Sequence, residues 1–258
     1  MRLMNMFGSA IDHTILSAVP GAFGARAAIA ADIKADFPTD APPLFGKPGP
    51  ARYHRLAAYF KQFDLVLTYN WGAMDAVGAR RLFPRGCPPL IHHEDGFNQD
   101  ETERLSWKRN GFRRLMLPTA HAVVVPSLRL ETIARDVWKV AAPVRIGNGI
   151  AVAAYAVPPA PDAIPGLVKQ PGDVVVGTLA GLRAVKNLPR LVRAVAAAGP
   201  AIKLVIVGEG PERETIQAEA VQCGLGDRLI MPGFMAEPHR FVGLFDIFAL
   251  SSDSEQFP

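Results

Sequence analysis

The sequence predicts an α/β protein of two strand-helix domains, each built on a parallel sheet. Three observations carry this expectation. Short apolar runs alternate with helical patterns, the signature of strand-helix units stacked around a parallel sheet. A stretch rich in proline and glycine, from Tyr155 to Gly172, interrupts the rhythm and reads as an interdomain connector outside either core. The composition, 49% hydrophobic and 20% charged over 258 residues, is enough for one large core or two modest ones. The expected organisation is an amino-terminal domain over residues 1–154, a linker over 155–172 and a second domain over 173–258.

Composition bounds the function without choosing it. A net charge of +4 permits nucleotide phosphates, acidic lipid surfaces or nucleic acid as partners. The two cysteines, Cys87 and Cys223, lie far apart with no metal-ligand spacing, so neither a disulfide framework nor a zinc site is implied. No run approaches the roughly 18 apolar residues of a membrane-spanning helix, and the amino terminus lacks the layout of a signal peptide. The expected location is cytoplasmic.

In chain order, Met1–Met6 is a candidate strand, and Phe7-Gly-Ser-Ala10 a glycine turn before a helix through Ile15 and Leu16. Strands are expected at Phe63–Tyr69, Pro89–His92 and Ala122–Pro126. Helices are expected at Ala51–Gln62, Gly72–Phe83, Glu101–Leu117 and Leu128–Trp138, the last capped by Ser127 with Glu131 in its first turn. The stretch His92-His-Glu-Asp95 crowds titratable residues at a strand's carboxyl end, where α/β sheets bind ligands. A metal reading fails there, because neighbouring histidines of an extended chain point to opposite sides. Trp107–Leu117 interleaves Lys108, Arg109, Arg113 and Arg114 with Trp107, Phe112 and Leu115. That pattern fits a solvated helix face, or a peripheral membrane contact in which the cations meet headgroups. Asn148-Gly149 reads as a tight turn.

The second domain opens with an apolar strand from Asp173, a loop bearing Arg183 and Lys186, and a helix over Leu188–Ala198 that Asn187 can cap. Backbone N–H groups at a helix amino terminus, with two cations, suit a pyrophosphate, although on chemistry alone a lone Arg and Lys in a loop are more often solvated surface. The unit repeats at Ile202–Val207 with a turn at Gly208-Glu-Gly210 and Pro211 in the first turn of a helix. No third glycine follows at dinucleotide-fingerprint spacing. A short strand over Arg228–Phe234, a helix over Glu237–Phe245 and a strand over Asp246–Leu250 complete the pattern, and a Ser/Asp-rich loop follows.

That last loop, Ser251-Ser-Asp-Ser-Glu-Gln-Phe-Pro258, resembles the donor-site segment Ser-x-x-Glu-Gly-Phe-Pro of retaining family-4 glycosyltransferases of the GT-B fold. Glu255 matches the first glutamate of the family's E-x7-E motif, Gln256 stands at its glycine, and the second glutamate would fall beyond residue 258. The segment Gly181-Leu-Arg-Ala-Val-Lys-Asn187 is similar to the family's Gly-Arg-Leu-x-x-x-Lys-Asn/Gly, with glycine in the arginine's place. Val207-Gly-Glu-Gly-Pro211, Met231-Pro-Gly-Phe234 and Asn148-Gly-Ile150 are similar to further family turns. The resemblance implies two Rossmann-like GT-B domains facing across a cleft, the second incomplete, and a nucleotide-sugar donor with no metal or other cofactor.

The implied acceptor is a glycan, a lipid-linked molecule or a small molecule, and nucleic acid is not an expected partner. Lys186, Asn187 and, in place of the absent arginine, Arg183 would hold the diphosphate. Gly208, Gly210, Gly233, Phe234, Gln256 and Phe257 would line the donor. Glu255 and His92 or His93 would contact the transferred sugar. The basic segment 107–117 would place the enzyme at the inner face of the membrane, and the 258-residue chain itself would be inactive. The alternatives are a GT-B nucleotide-sugar epimerase and a non-catalytic nucleotide-sugar-binding protein or fragment.

Overall fold

The structure is a computed structural model that describes all residues except 20, 22–23, 45, 47, 97–105 and 256–258. The chain divides into two units, Met1–Gly147 and Asn148–Pro258.

The first unit carries a four-stranded, all-parallel sheet in the order β3 (Val66–Tyr69), β4 (Leu90–His93), β5 (Ala122–Val125), β6 (Val144–Arg145). A separate parallel pair joins β1 (His13–Thr14) to β2 (Ala35–Asp36). The helices are α1 (Arg2–Phe7), α2 (Pro50–Phe60), α3 (Met74–Leu82), α4 (Trp107–Met116) and α5 (Leu128–Asp136). Two expectations at the amino terminus are corrected. Met1–Met6 is not a strand, because its methionines, leucine and arginine carry no branch at Cβ and lose little rotamer freedom in a helix. Gly8 ends that helix at φ 60, and Ile15 follows a two-residue strand with no helix around it. Ser127 caps α5 by accepting from Leu130 N–H at 3.3 Å, and Glu131 pairs with Arg135 and Arg145. Of the helix expected over Glu101–Leu117, residues 101–105 lie outside the described residues.

One core joins Val123 and Val125 of β5 to Leu130, Ala134 and Trp138 beneath α5 and to Met116 and Leu117 at the end of α4. A second lies between α2 and α3, where Tyr53, Leu56, Ala57 and Phe60 meet Ala76 and Ala79. Buried Arg52 there donates to Asp75 at 2.9 Å, and the Tyr53 hydroxyl reaches the same carboxylate at 3.2 Å. Residues 146–150 form no turn, and Gly149 has no positive φ, so the turn expected at Asn148-Gly149, at the unit boundary, is not formed.

The second unit has a four-stranded parallel sheet in the order β10 (Ile247–Phe248), β7 (Val174–Leu179), β8 (Ile202–Val207), β9 (Leu229–Gly233). Strand alternation covers both faces. Val176, Leu204 and Ile206 pack under α6 (Leu188–Ala198) and α7 (Arg213–Gln222), whereas Val175, Val205 and Val207 face Ile164, Leu167 and Phe241. The stretch read as a connector therefore supplies core: Ile164 and Leu167 are buried between its prolines. The helix expected over Glu237–Phe245 is two 3₁₀ turns, Pro238–Arg240 and Val242–Leu244. Left-handed Glu237, Pro238 and Gly243 leave no uninterrupted span for an α-helix.

Candidate donor site and the amino-terminal clamp

In the second unit the chain runs outward from β7 through β8 to β9 and then returns to place β10 on the other side of β7. The strand order reverses between β7 and β10. Loops leaving the carboxyl ends of two such strands flank a crevice, the usual ligand site of open parallel sheets. Here those loops are 180–187 and 249–255, and they are joined by polar contacts. Lys186 Nζ reaches Glu255 Oε1 at 2.5 Å, and Ser252 donates to the same oxygen at 2.6 Å. Ser251 Oγ donates to the Lys186 carbonyl at 2.9 Å and Asp253 N–H to the Val185 carbonyl at 2.9 Å. Asn187, in the left-handed region at φ 44, caps α6 by accepting from Arg190 N–H and donates to Asp253 at 3.0 Å. Arg190 adds an ion pair to Asp253 at 2.6 Å.

Burial pushes the Glu255 carboxyl up, but hydrogen bonds from Lys186 and Ser252 and the charges of Lys186 and Arg183 together hold it below its ordinary value. It is a carboxylate at neutral pH. The Asp253 carboxyl is also lowered, chiefly by Asn187 and then Arg190.

The glycines of the β8 turn let two loops pack together. A Cβ on Gly208 (φ +142) would run into the Ala180 carbonyl, and one on Gly210 (φ +157) into the Leu182 backbone. Only glycine lets the two loops lie this close. Leu182 N–H donates to the Glu209 carbonyl at 2.9 Å, Glu212 N–H to the Leu182 carbonyl at 3.0 Å and Gly208 N–H to the Gly233 carbonyl at 2.8 Å. Buried Leu182 then anchors the loop in the core, which presents Arg183 outward. Gly181 is exposed with ordinary φ, and Arg183 Nε lies 3.6 Å from where its Cβ would stand. The guanidinium arm thus runs beside the position where the resemblance expects an arginine. Phe234 follows β9 and is 76% exposed, a bare aromatic face at the sheet's carboxyl edge. Gln256 and Phe257 lie outside the described residues.

In the first unit the two histidines end β4 and diverge as an extended chain requires. His92 is fully buried, its Nδ1 2.9 Å from Thr68 Oγ1 on β3. Its place in the sheet interior removes it as a sugar contact. His93 is half-buried against Tyr69, ring centroids 4.7 Å apart. Burial lowers its pKa, Asp95 raises it, His92 lowers it, and the net direction is down, so the ring is neutral near pH 7. Left-handed Asn70 donates its N–H to the His93 carbonyl at 2.8 Å and accepts from Asp95 N–H at 2.7 Å, which fixes the turn after the histidine.

Sequence reasoning missed what lies behind that turn. Glu94 and Arg113 are both 0% exposed, with Arg113 Nε donating to Glu94 Oε2 at 3.0 Å. The guanidinium is stacked between Trp71 and Trp138, 5.1 and 5.2 Å from their centroids, and Trp138 Nε1 donates to Asn110 at 2.9 Å. Arg113 is therefore a core residue and not a headgroup contact, because α4 turns it inward beside Met116. Phe112 likewise packs inward on Trp71. Arg109 stacks on the same ring at 5.4 Å. No local pattern pairs Glu94 with a residue nineteen positions on, so only the inward period of α4 could have hinted at it. Among the described residues no cluster of three His, Cys, Asp or Glu could hold a metal, both cysteines are free, and no helix is long and apolar enough to cross a membrane.

The fold is that of the GT-B glycosyltransferases. Residues 161–258 match the family described as glycosyl transferases group 1. The chain is similar in structure to Anabaena HepE in complex with UDP, at TM-score 0.68 and 18% identity, over 86% of this chain and 62% of that one. It is similar to sucrose-phosphate synthase of Thermosynechococcus elongatus, at 0.67 and 18%, over 100% and 71%. It is also similar to the lipopolysaccharide outer core galactosyltransferase WaaB, at 0.59 and 17%, over 88% and 61%. The chain thus spans less than two thirds of the length of HepE and WaaB. No curated protein matches it by sequence.

Proposed function

We propose that the chain belongs to a retaining, metal-independent glycosyltransferase that moves a sugar from a nucleotide diphosphate sugar to a glycan, lipid-linked or small-molecule acceptor. The observation that carries this is Lys186 beside the α6 amino terminus and across from Glu255 at the point of strand reversal. Charge gathers on the leaving diphosphate as the glycosidic bond stretches. An ammonium and a helix amino terminus stabilise it more in the transition state than in the ground state, and Arg183 adds a guanidinium. Phe234, on the same unit, offers a stacking face for the base. A paired-acid mechanism has no support, since Glu255 is the one carboxylate of this site assigned to the sugar.

The test is transfer from a panel of nucleotide sugars, with free nucleotide as the readout. Lys186→Ala should cut turnover by about 10²–10³, the scale of losing an oxyanion-type donor. Nucleotide-sugar isomerisation without nucleotide release would indicate the epimerase instead, and binding without either reaction the non-catalytic reading.

The exposed face of α4 supports a peripheral contact with an anionic membrane as part of the same proposal. Trp107 is 77% exposed and Leu115 55%, on the side that also carries exposed Lys108 and Arg114. Amphipathic faces of this composition bind acidic interfaces. Trp107→Ala with Leu115→Ser should abolish sedimentation with phosphatidylglycerol vesicles, and retained sedimentation would remove the contact.

A further inference from the structure

The ammonium that a diphosphate needs already has a partner. Lys186 and Glu255 retain only 19% and 24% of their side-chain exposure, and the contact at 2.5 Å is reinforced by Ser252 on the same carboxylate oxygen. The segment bearing Glu255 is tied to the Lys186 loop by the Ser251 hydroxyl and the Asp253 N–H, both bonded to loop carbonyls, whereas Glu255 itself is held there only through its carboxylate. The carboxylate can leave the ammonium by a rotamer change while the loop stays in place.

We propose that Glu255 is an internal competitor of the diphosphate for Lys186, and that its displacement makes the site favour a nucleotide sugar over the bare nucleoside diphosphate. The inference rests on the donor-site reading above. A diphosphate carries more negative charge than one carboxylate and would displace it from the ammonium. Glu255 is then left ionised beside phosphate oxygens, a like-charge contact that costs free energy. A neutral, hydroxyl-bearing group on the distal phosphate relieves that cost, because its O–H groups donate to the freed carboxylate. A bare nucleoside diphosphate offers no such donors. The same contact would therefore help to hold the donor and to expel the spent nucleotide.

The experiment is calorimetric titration of UDP and of UDP-glucose, the ligand of one HepE complex, into wild type, Glu255→Gln, Glu255→Asp, Lys186→Ala and the Lys186→Ala/Glu255→Gln double variant. Glu255→Gln should bind UDP about fivefold to thirtyfold tighter, the size of one charge-assisted contact, while UDP-glucose gains less or weakens. The gain should vanish in the Lys186→Ala background, and Glu255→Asp, which keeps the charge, should not reproduce it. Unchanged or weaker UDP binding by Glu255→Gln, with Lys186→Ala still weakening UDP, overturns the competitor and leaves the donor site standing. An equal gain in the Gln and Asp variants also overturns it. UDP binding that ignores Lys186 altogether overturns both readings.

Discussion

Arg113→Ala should unfold the first unit's core rather than alter its surface. The guanidinium is wholly buried, bonded to a wholly buried Glu94 at 3.0 Å and flanked by two tryptophans. Removing it leaves the buried Glu94 carboxyl without its guanidinium partner, and breaking a buried pair from one side costs about 3–5 kcal/mol. Lost stacking on Trp71 and Trp138 adds to that. A domain of this size has about 5–15 kcal/mol in all, and each kcal/mol moves its midpoint by roughly 2–4 °C. The melting transition of the first unit should fall on the order of 10 °C or be lost. Urea titration followed by tryptophan fluorescence reads the change directly, since the reporters are the stacked rings. The double variant Glu94→Gln/Arg113→Met, which removes both charges and keeps the volume, should recover much of the loss. A surface arginine would cost within about 0.5 kcal/mol. A shift that small in Arg113→Ala would refute the buried clamp.

Three other outcomes follow from the geometry. The Tyr53 pKa is pushed up to about 12, by burial first and then by Asp75. Its stabilising contribution is complete below the free value near 10 and is lost as pH rises through about 12, so alkaline unfolding should be shallower in Tyr53→Phe when followed by circular dichroism. His93 should titrate below the ordinary histidine value by NMR, and in Asp95→Asn lower still, because the carboxylate that raises it is gone; an unshifted or raised midpoint would place the ring in water. Gly208→Ala should cost about 1–3 kcal/mol in denaturant unfolding, because the added Cβ meets the Ala180 carbonyl and φ +142 strains any L-residue.

The parallel α/β layout was legible because its signal is local: the apolar runs at Val174–Leu179 and Ile202–Val207, and the caps at Ser127 and Asn187, need no knowledge of distant residues. Misreadings arose where local and tertiary signals part. Proline density hid Ile164 and Leu167, whose burial depends on a sheet face formed by residues much later in the chain. The cationic run of α4 looked uniform in sequence, yet helix rotation sends Arg113 into the core and Lys108 and Arg114 outward. Adjacent His92 and His93 were separated in the same way by strand alternation, and only His93 was left with a reachable ring.

The donor-side loops show why glycine motifs are ambiguous in sequence. A glycine can be required because a ligand comes close or because another loop does, and the letters are the same. At Gly208 and Gly210 the neighbour is the 180–182 backbone, so these residues set where Leu182 sits and hence where Arg183 and Lys186 project. At Gly181 no such neighbour exists, and nothing in the backbone demands glycine. The space an arginine at 181 would enter is the space beside which the Arg183 side chain runs. Gly181→Arg should therefore fold normally but set two guanidinium groups in competition for it, and UDP affinity in that variant should rise less than one added bidentate contact would give. A full gain, with Arg183→Lys silent, would mean that Arg183 faces solvent and that the diphosphate relies on Lys186 and the α6 amino terminus.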